Sequence, residues 1–217
     1  MSRSGKRIGR LHILTDEVLQ STFSHVELAR LAIKGGADVI QFRQKIGSTK
    51  SLIDMARRMM GLCHKEKAIF IVNDRVDVAI AVDADGVHLG QEDFPIPLAR
   101  RLLGKDKIIG GSAATLEEAE RCSLEGADYV GFGPVYPTAS KADAGPVSGV
   151  HVLRTVVERT HLPVIAIGGI TAERIPEVMQ AGAHGIAVIS AVCCEKEPEA
   201  ATRSLRGVLK KSITGEP

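Results

Sequence analysis

Residues 68–81, Ala68-Ile69-Phe70-Ile71-Val72-Asn73-Asp74-Arg75-Val76-Asp77-Val78-Ala79-Ile80-Ala81, and residues 86–93, Gly86-Val87-His88-Leu89-Gly90-Gln91-Glu92-Asp93, decide the fold. Ala68 to Val72 is an apolar run rich in β-branched and aromatic residues, which reads as a strand ending at Asn73-Asp74. Val76 to Ala81 reads as a short helix, and Gly86 to Leu89 as the next strand, running out into Asp93. Each strand thus delivers a carboxylate just past its C-terminal end.

The same alternation continues in both directions. Leu11–Leu14, Val39–Arg43, Lys107–Gly111, Tyr129–Gly133, Pro163–Ile167 and Gly185–Ile189 are further strand-type runs. Between them lie helical spacings. One is opened by Ser24 with Glu27 as a capping box, one runs from Ser51 to His64, and one is entered through Pro95 and Pro97. Others follow Thr115, span Val150–Arg159, end at Gln180, or run from Pro198 to Lys210. Residues 134–149, rich in Pro, Thr, Ser, Ala and Gly, form the longest irregular stretch.

An internal echo supports one repeating unit: Gly36-Ala37-Asp38, Gly126-Ala127-Asp128 and Gly182-Ala183-His184 each stand between a helix and a strand. Glycine there supplies a left-handed helix stop. Eight strands alternating with eight helices in a chain of 217 residues predict a single-domain α/β fold, a (β/α)8 TIM barrel over residues 11–212. Residues 1–10 are expected as a flexible extension and 213–217 as a flexible tail.

Composition narrows the function classes. With 28 Lys plus Arg against 26 Asp plus Glu the net charge is +2, too little for a nucleic-acid footprint. No stretch approaches the ~20 apolar residues of a membrane span, and the basic start lacks a signal peptide's apolar run, so a cytoplasmic protein is expected. Cys63, Cys122, Cys193 and Cys194 form no CxxC pair, and the adjacent Cys193-Cys194 reads as small residues at a strand end in a reducing compartment. A homo-oligomer is compatible with the chain but not specified by it.

In a TIM barrel the active residues sit at the C-terminal strand ends. Gln41, Arg43 and Lys45 alternate along one face there, where polar side chains need an anionic ligand to justify them. Asp74 and Asp93, at neighbouring strand ends, suit Mg2+, which takes one or two carboxylates plus phosphate oxygens. Asp77 and Asp85 read as turn residues, and His88 as a packed or surface histidine rather than a ligand. The remaining ends present Ser112, then Thr138, Ser140 and Lys141, then Gly168-Gly169, and finally Ile189-Ser190. The last two follow strands seven and eight, the frequent phosphate site of these barrels. Two anion sites at one mouth suggest an enzyme joining two phosphorylated pieces with diphosphate as leaving group.

At QFRQK, VNDRVDVAI, DGVHLGQED, GADYVGFGPVYPTASK, PVIAIGGIT and GIAVIS the sequence closely resembles the thiamine-phosphate synthase (thiamine-phosphate pyrophosphorylase) family. The resemblance implies condensation of 4-amino-2-methyl-5-(diphosphooxymethyl)pyrimidine with thiazole phosphate through a dissociative pyrimidinyl cation, with one Mg2+ per active site. It implies that Gln41, Arg43, Lys45, Asn73, Ser112 and Lys141 hold the pyrimidine diphosphate, with Arg43, Lys45 and Lys141 as the catalytic cations. Asp74 and Asp93 would hold Mg2+, while Thr138, Ser140, Gly169, Ile189 and Ser190 would receive the thiazole phosphate.

The sequence departs from the family pattern at Ala114, where relatives often carry a histidine, and at Gln44, where they often carry an acid. Tautomerase-like relatives rely on that histidine, so Ala114 counts against the tautomerase reading. A non-catalytic thiamine-phosphate-binding barrel is the remaining alternative, and the intact leaving-group residues count against it.

Overall fold

Apolar residues two apart along each strand divide into two separate cores, and that division is the signature of a closed sheet. The structure, a computed structural model, describes residues 5–140 and 145–215. Its strands are β1 (Leu11–Thr15), β2 (Val39–Phe42), β3 (Ile69–Asn73), β4 (Gly86–Leu89), β5 (Ile108–Ala113), β6 (Tyr129–Phe132), β7 (Val164–Ile167) and β8 (Gly185–Val188). All pair in parallel with their sequence neighbours, and β8 pairs with β1 to close the barrel. The single-domain (β/α)8 barrel expected from the alternation is therefore the fold.

The connecting helices are α1 (His25–Lys34), α2 (Thr49–Lys65), α3 (Val76–Ala81), α4 (Ile96–Leu103), α5 (Leu116–Leu124), α6 (Gly149–Thr160), α7 (Ile175–Gln180), α8 (Ser190–Cys193) and α9 (Pro198–Thr214). Ser24 caps α1 by accepting from Glu27 N, and Thr115 caps α5 by accepting from Glu118 N. Leu11, Ile13, Ile40, Phe70, Val72, Ile109, Val130 and Ile186 pack outward against the helices in one core. Leu14, Val39, Ile69, Ile71, Ile108, Tyr129, Ile165 and Ala187 fill the barrel interior in the other.

The glycine–alanine echo closes the N-terminal end of the barrel. Gly36, Gly126 and Gly182 have φ of 102°, 93° and 92°, as a left-handed helix stop requires. A fourth copy, Asp83-Ala84-Asp85, precedes β4, with Asp83 at φ 55° in the glycine position. The third residue of each copy then ties an even strand to the segment before it. Asp38 accepts from Arg10 N and Leu11 N, Asp85 from Phe70 N and Asp128 from Ile109 N, while His184 Nε2 bonds Ile8 O. Asp85 is thus structural, and Asp77 pairs with Arg75 beside it, so neither belongs to the mouth of the barrel.

Three expectations are corrected here. The basic start is not a solvated extension from Lys6 onward: Lys6 bonds Asp128 at 2.9 Å and Lys107 O at 2.8 Å, and Ile8 is buried. Basic residues pack there because Asp128 would otherwise be a poorly compensated buried charge. At the other end α9 runs through Thr214 and stops at Gly215, at φ 68°, so Ile213 and Thr214 are helical rather than tail. Cys193 and Cys194 fall in and just after α8 instead of at a strand end, with Cys193 buried and its thiol pushed up to about 12, chiefly by burial. Among the described residues no helix is long and apolar enough to cross a membrane.

Burial works to raise the carboxyl pKa of Asp38 and Asp128. The backbone amides and the cations Arg206, Lys6 and Arg100 outweigh it and hold both below the usual carboxylate value. Folded carboxyls that are depressed contribute stability above the unfolded value, near 3.8, and lose it as the pH falls further. Thermal melts should therefore show the midpoint dropping as the pH is taken below about 4. Asp128→Ala, which strands the buried Ile109 amide, should cost about 1–3 kcal/mol or more in denaturant unfolding at neutral pH.

Candidate active site

At the opposite end the strand termini surround a cavity of about 550 Å³. Its wall combines residues from seven of the eight strand ends, because each strand's next inward position lies just past its last hydrogen-bonded residue. Arg43, Lys45, Asn73, Asp74 and Asp93 lie on one side. Ser112, Thr138, Ser140, Gly169, Ile189 and Ser190 complete the wall. The structure thus brings together nearly all of the candidate residues read from the sequence.

Two candidates stand apart. Gln41 is 3% exposed and does not line the cavity; it sits one inward position below Arg43, inside the barrel. Its Oε1 has no hydrogen-bond partner, and neither has the buried Nε of Arg43. Lys141 lies outside the described residues.

The cationic side is built from ion pairs. Arg43 donates to Asp16, which is 1% exposed and also caps the turn by accepting from Val18 N and Leu19 N. Lys45 donates to Asp74. Asp74 sits in the left-handed region at φ 63°, which aspartate adopts more readily than most side chains. Burial raises the Asp74 carboxyl pKa, the neighbouring Asp93 carboxylate raises it further, and Lys45 opposes both. Asp93 in turn accepts from Gly90 N at 2.7 Å, which fixes the loop after β4.

Two converging oxygen donors that repel one another fit a hard divalent cation such as Mg2+. Among the described residues no third His, Cys, Asp or Glu joins them as a protein cage. An ion there would complete its shell from ligand and water oxygens, as Mg2+ commonly does.

The other side is lined by small groups. A Cβ on Gly169 would stand 2.5 Å from Pro137 O, and its φ is 63°, so the backbone there comes close to the loop after β6 and stays accessible. Arg174 donates to Gly169 O and stacks over Tyr136, which holds this turn in place. Ser140 Oγ donates to Ser190 Oγ at 2.9 Å, so two hydroxyls from opposite loops meet.

Sequence reasoning left out Asp16, Gln91 and Glu118. Gln91 donates to Ser112 O and accepts from Arg121, and Glu118 accepts from Ala114 N at 2.7 Å. The signal for Asp16 was its place directly after β1, the same position that singled out Asp74. Of the two places open to His88, packed or at the surface, the structure shows the packed one, bonded to Tyr129 and Ser112.

Similarity to known proteins identifies the family. The profile of the thiamine monophosphate synthase (TMP-TENI) family matches residues 11–192. A thiamine-phosphate synthase of Salinibacter ruber is 51% identical, over 97% of this chain and 95% of its own. One of Methanocella arvoryzae is 53% identical, over 93% and 95%. The solved thiamine phosphate pyrophosphorylase of Pyrococcus furiosus superposes with a TM-score of 0.87 at 43% identity, covering 94% of this chain and 96% of its own. The chain belongs to the thiamine monophosphate synthase family, and its activity is that of a transferase of thiamine biosynthesis, a thiamine-phosphate synthase.

Proposed function

We propose that the cavity binds the pyrimidine diphosphate against Arg43, Lys45, Asn73 and Ser112, with Asp74 and Asp93 for Mg2+, and the thiazole phosphate against Gly169, Ile189, Ser190, Thr138 and Ser140. One observation carries this division: a single cavity has its charged groups on one side and its close-approach backbone and hydroxyls on the other. The substrates are small phosphorylated molecules.

The bond broken is the one between the pyrimidine methylene carbon and the diphosphate oxygen, and the electron pair leaves with diphosphate. The thiazole nitrogen then forms the new bond with its lone pair. Arg43 neutralises the departing oxygens through its guanidinium fork, while Asp16 fixes that fork in position. Lys45 supplies a point charge once its pairing with Asp74 is exchanged for phosphate. Asp74 and Asp93 would hold Mg2+, which would supply charge stabilisation for the leaving group rather than an activated hydroxide. The wall needs no general base for this chemistry, and Lys141 is assigned to the same diphosphate by resemblance.

The tautomerase reading gains nothing here. Ala114 lines the cavity, and its backbone is engaged by Glu118 and by Ser148, so the position brings no titratable side chain.

Supplied with both phosphorylated substrates and Mg2+, the protein should release diphosphate and form thiamine phosphate. Chelation should stop turnover, and a folded protein that forms no product would refute the reading. Asp93→Asn keeps an acceptor for Gly90 N and so should fold normally, yet lower kcat/KM on the order of 100-fold by weakening stabilisation of the leaving group. Gly169→Ala, whose Cβ collides with Pro137 O, should raise KM for the thiazole phosphate about ten-fold or more by displacing the backbone it approaches. The pyrimidine diphosphate KM should change little in that variant.

A further inference from the structure

A buried polar chain runs from the centre of the barrel to the cavity wall. Tyr129 Oη lies 2.9 Å from His88 Nδ1, and His88 Nε2 lies 2.9 Å from Ser112 Oγ. Tyr129 is 1% exposed and His88 7%, and the His12 ring packs on Tyr129 from below at 5.5 Å between centroids. Barrel interiors of this kind are filled by aliphatic side chains, so a Tyr–His pair there asks for a reason.

The strands are cut to fit it. A Cβ on Gly110 would stand 2.2 Å from Tyr129 Cζ and 2.5 Å from His88 Nδ1, and one on Gly131 would stand 2.9 Å from His88 Cε1. Two inward positions therefore give up their side chains to accommodate the two rings. The far end of the chain, Ser112, lines the cavity.

We infer that Tyr129 and His88 are positioning residues that set the Ser112 hydroxyl as a hydrogen-bond donor toward the substrate. Tyr129 is a buried phenol whose ionisation is pushed up by burial, so it remains protonated. Its hydroxyl proton goes to His88 Nδ1. The opposite arrangement, Nδ1–H donating to Oη, leaves a buried phenol proton with no acceptor in the observed bonding of the described residues. Nδ1 is thus the acceptor, and the ring proton sits on Nε2. Nε2–H donates to Ser112 Oγ. With a lone pair of Oγ occupied in this way, the Ser112 proton turns into the cavity. A fixed donor selects a substrate that presents an acceptor there, such as an unprotonated ring nitrogen of an aminopyrimidine, over one presenting an N–H. The substrate half of this inference rests on the proposed pyrimidine site, whereas the tautomer does not.

The test therefore has two arms. In protein labelled with 15N-histidine, His88 should show an unprotonated Nδ1 and a protonated Nε2 at neutral pH, without any substrate. A protonated Nδ1 with a bare Nε2 would overturn the inference. In steady-state kinetics, Tyr129→Phe should raise KM for the pyrimidine diphosphate by about five-fold, the worth of one hydrogen bond, and leave the thiazole phosphate KM unchanged. Ser112→Ala combined with Tyr129→Phe should be no worse than Ser112→Ala alone, because the chain acts only through Ser112. Multiplying losses, or equal rises in both KM values, would mark a packing role and overturn it. The tautomer measurement on the unaltered protein keeps the inference open to refutation if Tyr129→Phe does not fold.

Discussion

Closure of the barrel forces a strict two-residue alternation on every strand, and the rest of the structure depends on it. A one-residue slip in β2 would send Gln41 and Arg43 among the helices and Phe42 into the barrel. The register Ile40 to Phe70 and Phe42 to Val72 prevents that, because those residues are buried on the outer face. The N-terminal end is pinned independently by Asp38, Asp85, Asp128 and His184, each spending its polar group on the preceding strand or the segment before it. Long-range hydrogen bonds thus tie the N-terminal end together, while the mouth holds the like charges of Asp74 and Asp93.

Much of this was legible in the sequence because strands and turns here carry local signals. The β-branched runs and the glycine before each strand marked β2, β6 and β8 to within a residue or so. The copy before β4 was hidden, since Asp83 takes glycine's left-handed place, as aspartate can. Helix α8 is four residues long, too short for any periodicity, so Ser190 read only as a strand end. Lys6 and Ile8 looked solvated because their partners, Asp128 and His184, lie more than 120 residues away. The candidate site was legible for the same reason as the fold: strand ends can be counted. Asp16 and Glu118 were not found, since their roles depend on which loop they face.

Two ion pairs stand at the mouth of the barrel. Arg43 rests on Asp16, and Lys45 on Asp74. The two pairs differ in kind. Asp16 is buried and committed to its own turn through Val18 and Leu19, so Arg43 keeps a fixed seat. Lys45 is half exposed, and its partner is one of the two carboxylates assigned to the ion, so that contact is exchangeable. On the proposed reading, diphosphate would take the place of Asp74 as the partner of Lys45, while Arg43 would keep its seat on Asp16.

The most direct measurement is a crystal structure with thiamine phosphate, diphosphate and Mg2+ bound together. The proposed division of the cavity predicts diphosphate against Arg43 and Lys45, the ion on Asp74 and Asp93, and the phosphate of thiamine phosphate on Gly169 and Ser190. Diphosphate bound instead on the Gly169 side, or an ion that touches neither aspartate, would contradict it.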